Sequence, residues 1–525
     1  MNQSDSHQRA AFTAVTKPSS PARRSALLGL TALFGVITAV ELRGQTNVAA
    51  DFAALTSGQA GNTTSKPGTP GTVVAFGREA FPVLEDANGN QRSPMAAGRA
   101  GLATNSARGV AYSASGMFNT GNAVKSALFD NAVLWASRKT NRASVLVGVG
   151  PSFNTSFFTG LGYQVKSITT SMAATNNDLT GCDVFVGDWY SAYTATAITK
   201  ITNFTAAGGG VVCSTTPWQL PAADLANANL VLDRFGLVYS GNYVGGGSFT
   251  VPATNWPVTR SAIPAADLLL LDKQGATNLT LPEKDALSAT LSFVYESCGP
   301  IASLNAVVEQ ISLLYGLIAP TDTATLNQNQ KPVEGMLGRY QSVKFGTLPQ
   351  GQLFVHPGTS NYPGLPGAGP LVARTITVNG HTPTTPYVAY NYQPFRFETG
   401  LHAQPGTAFT VTIPAALTNA GLQVHVGATE DSFFGVNIWR SFPKIWRRDP
   451  LTSATTQLGH VFGGLITVLV PPNLNLGNFQ VTVSNALGRL MRWLQGTPDA
   501  ELSALNSADP NFKRNRFYLL FCDAA

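Results

Sequence analysis

Short apolar runs alternate with longer segments of helical periodicity over residues 71–300. A strand buried on both faces of a sheet has the length and composition of these apolar runs. They occupy residues 72–76, 109–114, 144–149, 157–161, 164–168, 182–186 and 211–214. Residues 123–138 and 195–207 have the pattern of helices between them. The alternation predicts a parallel, doubly wound sheet, and we interpret residues 71–300 as one Rossmann-like α/β domain.

From about residue 281 onward, the spacing of apolar residues changes to that of longer helices. Residues 283–296 and 304–319 carry apolar side chains at helical spacing and are bounded by Pro282, Pro300 and Pro320. Eight of the sixteen residues from 355 to 370 are Gly or Pro, and no helix or central strand tolerates that density. Residues 301–370 are therefore predicted to be a helix followed by a Pro/Gly linker, with a domain boundary at its end.

Residues 371–486 show alternation with a period of two. Their β-branched runs at 374–378, 409–413, 422–426, 464–470 and 479–483 are separated by Gly, Pro and Asn turns. This pattern predicts an antiparallel β-sandwich. Residues 487–525 depart from it and end near an apolar FYLLF run, so we treat them as a divergent tail.

The amino-terminal 44 residues have the pattern of an export signal. Arg23 and Arg24 precede an uncharged stretch at residues 25–40, which resembles a twin-arginine leader. The alternative is an uncleaved membrane anchor, since 16 apolar residues fall just short of a full span. We expect an exported protein, located in the periplasm, the envelope or outside the cell. Residues 45–70 are rich in Gly, Ser, Thr and Pro and are predicted to be a linker.

Charge argues against a nucleic-acid partner. The formal net charge is +6, but residues 1–44 hold five basic and two acidic side chains and so account for three of those charges. Only 12% of all residues are charged. The remaining +3 over some 480 residues gives no electrostatic reason to bind a polyanion.

Two features of the α/β region invite a chemical interpretation. Residues 148–152 (GVGPS) follow a strand but lack the third glycine of a dinucleotide loop and the Gly-Lys-Ser of a P-loop. The segment AAGGGVVCSTTPWQL, which contains Cys213, resembles the late strand of class I glutamine-amidotransferase-like domains. Residues 71–300 contain no histidine to activate a thiol, so we interpret the region as a scaffold or binding module and Cys213 as a packed side chain. The other cysteines, Cys182, Cys298 and Cys522, form no C-x-x-C motif.

Five segments in order between residues 398 and 471 resemble the enhancin-like zinc metallopeptidases, peptidase family M-sixty. They include ETGLHAQPGTAFTVTIP at 398–414, GLQVHVG at 421–427, PLTSATT at 450–456 and FGGLI at 462–466, and the remaining segment spans 440–443. The resemblance covers roughly residues 70–485, because an amidotransferase-like domain often precedes this sandwich in related proteins. It implies an exported protein that engages glycoproteins, with glycoprotein or glycan as partner.

The chain differs from that family in the residues that would form the catalytic zinc site. The family holds zinc with an H-E-x-x-H helix and a later glutamate. None of the six histidines here is followed by Glu, and no two are four residues apart; they are His7, His356, His381, His402, His425 and His460. We therefore expect no catalytic, cofactor or metal-binding residue in this chain, with the family's zinc domain missing. A frameshift or premature stop explains this, and so does natural reduction to binding domains.

The competing hypothesis is a standalone glycan- or protein-binding module of a bacterial envelope, and a third is a structural surface protein. For a glycan-binding module, Trp439, Trp446 and Tyr392 are the candidate platforms on which sugars stack. The alternative for these aromatic residues is burial in the core.

Overall fold

The computed structural model describes residues 45–86, 92–103, 105–118, 121–244, 247–254, 260–366, 369–382, 394–427 and 431–488. The predicted export leader and nearly all of the predicted tail lie outside these residues, as do Tyr392 and Cys522. Within the described ranges, no helix combines the length and the apolar character needed to cross a bilayer.

The first half of the described chain is a mixed sheet with helices on both faces. Its elements are α1 Gln45–Leu55, β1 Thr63–Ser65, β2 Gly71–Ala75, β3 Ala80–Asp86, β4 Met95–Arg99, β5 Arg108–Tyr112, α2 Ala123–Ser137, β6 Leu146–Val149, α3 Thr155–Gly160, β7 Gln164–Ser167, β8 Val184–Asp188, α4 Ala195–Ala206, β9 Gly210–Ser214, α5 Ala222–Asp233, β10 Leu237–Tyr243 and β11 Ser248–Thr250. Nine strands form one sheet in the order β1-β11-β3-β4-β5-β9-β8-β6-β7, and β2 pairs with β10 separately.

The prediction of an α/β region with parallel strands is confirmed, because β5, β9, β8, β6 and β7 are parallel. The prediction that the sheet is parallel throughout is wrong. Strands β1, β11, β3 and β4 extend it in antiparallel fashion, and short connections such as that between β4 and β5 permit this. The run at residues 157–161 is also not a strand, since it lies mostly in α3.

The predicted linker at residues 45–70 is instead part of this fold. Helix α1 buries Val48, Phe52 and Leu55, which follow one another at spacings of four and three residues and so share a helix face. Strand β1 then pairs with β11 at the edge of the sheet. The helix was not predicted because its apolar face has only three residues and the surrounding sequence is rich in Gly, Ser and Thr.

A buried charge cluster fastens α1 to the sheet. Arg99 donates from Nε and Nη2 to the two carboxylate oxygens of Asp51, at 2.5 and 2.6 Å, and the indole of Trp135 donates to Asp51 at 2.9 Å. Glu79 lies beside this pair, and both of its carboxylate oxygens are buried without a hydrogen-bond partner among the described residues. Burial raises the pKa of Glu79 to about 7, although Arg99 opposes the shift.

Glu79→Gln is expected to change the pH dependence of stability. Because the folded state raises this pKa, the unfolded chain ionises first, and stability falls as pH rises from about 4.5 through about 7. The difference in unfolding free energy between the variant and the wild type should therefore move in favour of the variant by about 2–3 kcal/mol between pH 4 and pH 8. Chemical denaturation at several pH values measures this. A difference that is constant with pH would show that Glu79 is ionised in the fold.

A helical layer follows, made of α6 Ala262–Lys273, α7 Leu281–Ser297, α8 Ala302–Tyr315, the short strand β12 Leu326–Asn327 and α9 Pro332–Phe345. Two of these helices match the predicted ones, but α6 and α9 were missed. Helices from both sides of residue 300 share one apolar core, in which Leu269, Leu291, Val308 and Met336 are buried together. The predicted boundary at residue 300 therefore cuts through a packed unit.

The carboxyl-terminal region is a curled antiparallel sheet. Its strands are β13 Leu371–Thr382, β14 Phe395–Ala403, β15 Phe409–Thr412, β16 Gln423–Gly427, β17 Ile438–Trp439, β18 Trp446–Pro450, β19 Thr455–Leu458, β20 Gly464–Val470 and β21 Leu474–Leu487. All except β17 belong to one eight-stranded sheet, which confirms the antiparallel prediction. Strand β21 reaches Leu487, whose partner is Leu371, so residue 487 belongs to the sheet and not to the tail.

The sheet region and the helical layer are joined by shared core. Trp439 of β17 pairs with Leu326 of β12, and its ring lies against Gly338 of α9. A β-carbon at Gly338 would stand 2.4 Å from that ring, so only glycine fits there. Phe442 and Phe462 enter the same helical core. The Pro/Gly-rich segment before β13 is therefore a connection between packed parts.

Candidate functional site

An open cleft of about 420 Å³ lies where the helical layer meets the residues just before and within β18. Helix α7 contributes Tyr295 and Glu296, and α9 contributes Ser342 and Val343. The opposite wall comes from the segment at 432–446, and its lining residues are Ser432, Phe434, Gly435, Lys444 and Trp446. The cleft thus combines three aromatic rings, two serine hydroxyls and two charged side chains.

Trp446 is half-buried and held in place from several sides. Its indole Nε1 donates to the carbonyl of Asp431 at 3.0 Å, and the ammonium of Lys444 lies 4.0 Å from its ring centroid. Behind it, Gly427 approaches so closely that a β-carbon there would stand 2.4 Å from the β-carbon of Trp446. The ring is therefore preorganised, with one part of its surface facing the cleft.

Arg339 ties the two walls of the cleft together. This buried guanidinium forms an ion pair with Glu296 and donates to the carbonyl of Phe434 at 2.7 Å. It also lies over the rings of Phe434 and Trp439, at 5.2 and 5.5 Å from their centroids. The result is that the charge of Glu296 is compensated and the Phe434 wall is fixed to the helices.

The three aromatic residues predicted as sugar platforms lie in different environments or outside the described residues. Trp446 lines the cleft, whereas Trp439 is only 2% exposed and belongs to the helical core, so of the two alternatives given for Trp439 burial is the one observed. Its indole Nε1 donates to the carbonyl of Phe433, which leaves no polar atom of the ring for a ligand. Tyr392 lies outside the described residues.

The histidines are dispersed through packed regions. His356, His425 and His460 are buried, whereas His381 is exposed on β13. Burial lowers the pKa of His356 and of His402 to about 4 and that of His460 to about 3, so these imidazoles are neutral near pH 7. No group of three or more potential metal ligands occurs in the part of the chain that the structure describes. The described residues therefore do not fit the zinc site of the family that the sequence resembles.

The two sequence features of the α/β region also prove to be packed. Cys213 is fully buried in β9, where its sulfur lies 3.6 Å from the hydroxyl of Tyr239, and burial raises its pKa to about 11. Such a thiol is protonated and shielded, unlike a nucleophile. Gly148 packs against Cys182, and Gly150 packs against the hydroxyl of Tyr193. These glycines permit close contacts between elements, and the three described cysteines are free thiols.

Sequence reasoning missed the other residues of the cleft. Glu296 and Lys444 are 148 positions apart and belong to regions that the pattern assigned to different domains. The alternating charged and aromatic residues around Lys444 and Trp446 were the only local signal.

Comparison with known families matches two separate parts of the chain. Residues 373–484 match the model of the N-terminal domain of M60-like peptidases. Residues 34–254 match a model described as "TRPM8, N-terminal domain". The M60-like match covers the curled sheet, and so supports the resemblance seen in its sequence.

Curated relatives are distant and longer. A TRPM8 channel-associated factor homolog of Danio rerio is 23% identical over 317 residues, which is 57% of this chain and 33% of the relative. TRPM8 channel-associated factor 3 of Rattus norvegicus is 23% identical over 302 residues, which is 55% of this chain and 31% of the relative. The chain thus spans about a third of the length of these relatives.

The fold resembles that of IMPa from Pseudomonas aeruginosa, whose structure was solved in complex with an O-glycopeptide. The TM-score is 0.50 at 13% identity, over 89% of this chain and 57% of IMPa. At that identity the likeness concerns the fold alone.

Proposed function

We propose that this chain is the glycoprotein-binding, non-catalytic part of an exported protein related to the M60-like peptidases, and that it binds O-linked glycans in the cleft at Trp446. The observation that carries the proposal is the fixed indole of Trp446 in an open cleft lined by hydroxyls and charges. The M60-like match over residues 373–484 and the likeness to a fold seen with an O-glycopeptide support it.

The chemistry of the cleft suits a sugar. A pyranose presents an apolar C–H face, which stacks on a flat aromatic ring, and a rim of hydroxyls, which needs donors and acceptors. Trp446 and Phe434 offer the rings, while Ser432, Glu296 and Lys444 offer the polar groups. Because Trp446 is held before any ligand arrives, little conformational entropy is lost on binding.

In this proposal the remaining parts of the chain act as a scaffold. The α/β region corresponds to a Rossmann-like, amidotransferase-like domain without its chemistry, and the curled sheet corresponds to the β-sandwich of the M60-like family. In this proposal the described residues bind the glycoprotein and supply neither the zinc site nor the peptidase activity. The alternative is a standalone binding module of the envelope, which would use the same cleft.

Calorimetric titration with an O-glycopeptide that carries a neutral galactosyl–N-acetylgalactosamine disaccharide tests this function. The wild type should bind the glycopeptide and not the same peptide without sugar. Trp446→Ala should weaken binding at least about tenfold, in the range that loss of an aromatic contact costs. Trp446→Phe should retain part of the affinity, because a ring remains.

Trp218→Ala is the matched control. Trp218 is an exposed tryptophan whose indole also donates to a carbonyl, that of Thr69, but it lies in the α/β region away from the cleft. Its replacement should leave affinity unchanged. Wild-type affinity in a folded Trp446→Ala variant would place glycan binding elsewhere, and equal binding of the bare peptide would refute glycan recognition.

A further inference from the structure

Lys444 gives the cleft a positive charge that the described part of the chain does not neutralise. Its ammonium lies 4.0 Å from the centroid of the Trp446 ring, and the only carboxylate among the residues that line the cleft is that of Glu296 on the opposite wall. Burial, and after it the neighbouring cation Arg448, lower the pKa of Lys444. A partly buried ammonium in that position gains from an anionic partner, because water solvates it incompletely.

The other charges at the cleft do not cancel this one. Glu296 on the α7 wall is already paired with the buried guanidinium of Arg339. These two side chains together contribute no net charge, so the ammonium of Lys444 remains as the one uncompensated charge among the residues that line the cleft. A ligand carboxylate would meet compensated charge on one wall and an ammonium on the other.

We propose that the cleft binds glycans that carry a carboxylate, such as sialylated O-glycans, more tightly than neutral ones. In this proposal Lys444 is the residue that recognises the carboxylate. This rests on the proposed function and specifies its ligand. The sugar ring stacks on Trp446 while the carboxylate accepts a charge-assisted hydrogen bond from the neighbouring ammonium. Lys444 and Trp446 already touch, so one acidic sugar can engage both.

Ser432 adds a second polar contact on the same wall. It lines the cleft close to Phe434 and is exposed, so its hydroxyl can accept from or donate to a sugar hydroxyl. A carboxylate in a purely acidic peptide would lack the ring that Trp446 stacks against. The arrangement of ring, ammonium and hydroxyl therefore fits an acidic sugar better than an acidic side chain.

The test compares four ligands built on one uncharged peptide. The first carries the neutral disaccharide, the second its sialylated form, the third that form with the carboxylate converted to an amide, and the fourth carries Glu and no sugar. The wild type should bind the sialylated ligand about tenfold more tightly than the neutral and amide forms, with a preference that shrinks as salt rises. The Glu peptide should not bind measurably.

Lys444→Gln should abolish the preference, so that the sialylated and neutral ligands bind with equal affinity, whereas Lys444→Arg should retain most of the preference. Lys273→Gln is the matched control, since its ammonium also lies over an aromatic ring, that of Tyr315, at 3.9 Å. It should change nothing.

The outcomes separate the two proposals. Equal wild-type affinity for the neutral and sialylated ligands overturns charge selection and leaves glycan binding standing. Absence of binding to any glycopeptide overturns both. A sialyl preference that persists in Lys444→Gln removes Lys444 from the role, and tight binding of the Glu peptide would identify an acidic peptide as the ligand.

Discussion

Trp439→Ala should lower the free energy of unfolding by about 3–5 kcal/mol, the usual cost of truncating a large buried aromatic side chain. Trp439 is 2% exposed, fills space against Gly338 of α9, and lies under the guanidinium of Arg339. The structure around it comes from helices and from β17, so little of the cavity can collapse. Chemical denaturation followed by circular dichroism measures the loss.

Ile438→Ala serves as the control, because this neighbour in β17 is 47% exposed and its truncation removes little packing. It should change stability by no more than about 0.5 kcal/mol. Hydrogen exchange should show that Trp439→Ala weakens protection in α9 as well as in β18. Protection lost from β18 alone would show that the helical layer and the sheet region unfold independently.

Asp51→Ala should also cost about 3–5 kcal/mol, because it leaves the guanidinium of Arg99 buried without its partner. Arg99 and Asp51 each expose only 6% of their side chains, and Trp135 would lose its acceptor as well. Helix α1 should then detach from the sheet. Denaturation gives the size of the effect, and limited proteolysis near residue 55 reports the detachment.

The pair of Arg78 and Asp267 provides the comparison. It has the same bidentate geometry, with both distances at 3.0 Å, but its side chains are 35% and 29% exposed. Solvent screens such a pair, so Asp267→Ala should cost about 1 kcal/mol or less. An equally small loss of unfolding free energy in Asp51→Ala would show that α1 contributes little to stability, as expected of the predicted linker.

The sequence predicted elements best where burial is uniform or alternates simply. Strands β6, β8 and β9 are buried on both faces and appeared as apolar runs, and β13 and β20 appeared as alternating ones. Helix α9 was not predicted because it is buried on almost every side and still contains polar residues, so it lacks a simple apolar pattern. Its Arg339, Gln341 and Ser342 are buried with hydrogen-bond partners that only the folded chain supplies.

The candidate site was only partly predictable from the sequence. Trp446 was predicted to be a sugar platform from its residue type alone, and the structure places it in the cleft beside Lys444. The identical argument failed for Trp439, because local sequence does not reveal that α9 offers a glycine where that ring must lie. The facing wall, with Glu296, depends on contacts between distant parts of the chain and could not be predicted from periodicity.

The shared core of helices and late sheet residues also affects how the chain is made. Translation proceeds at about 5–20 residues per second, so the ribosome needs on the order of ten seconds to travel from the end of α9 to Phe462. During that interval the helices have emerged without Trp439, Phe442 and Phe462 to cover their apolar faces. Because transiently exposed apolar surface promotes aggregation, we expect the nascent chain to be most prone to aggregate during that interval.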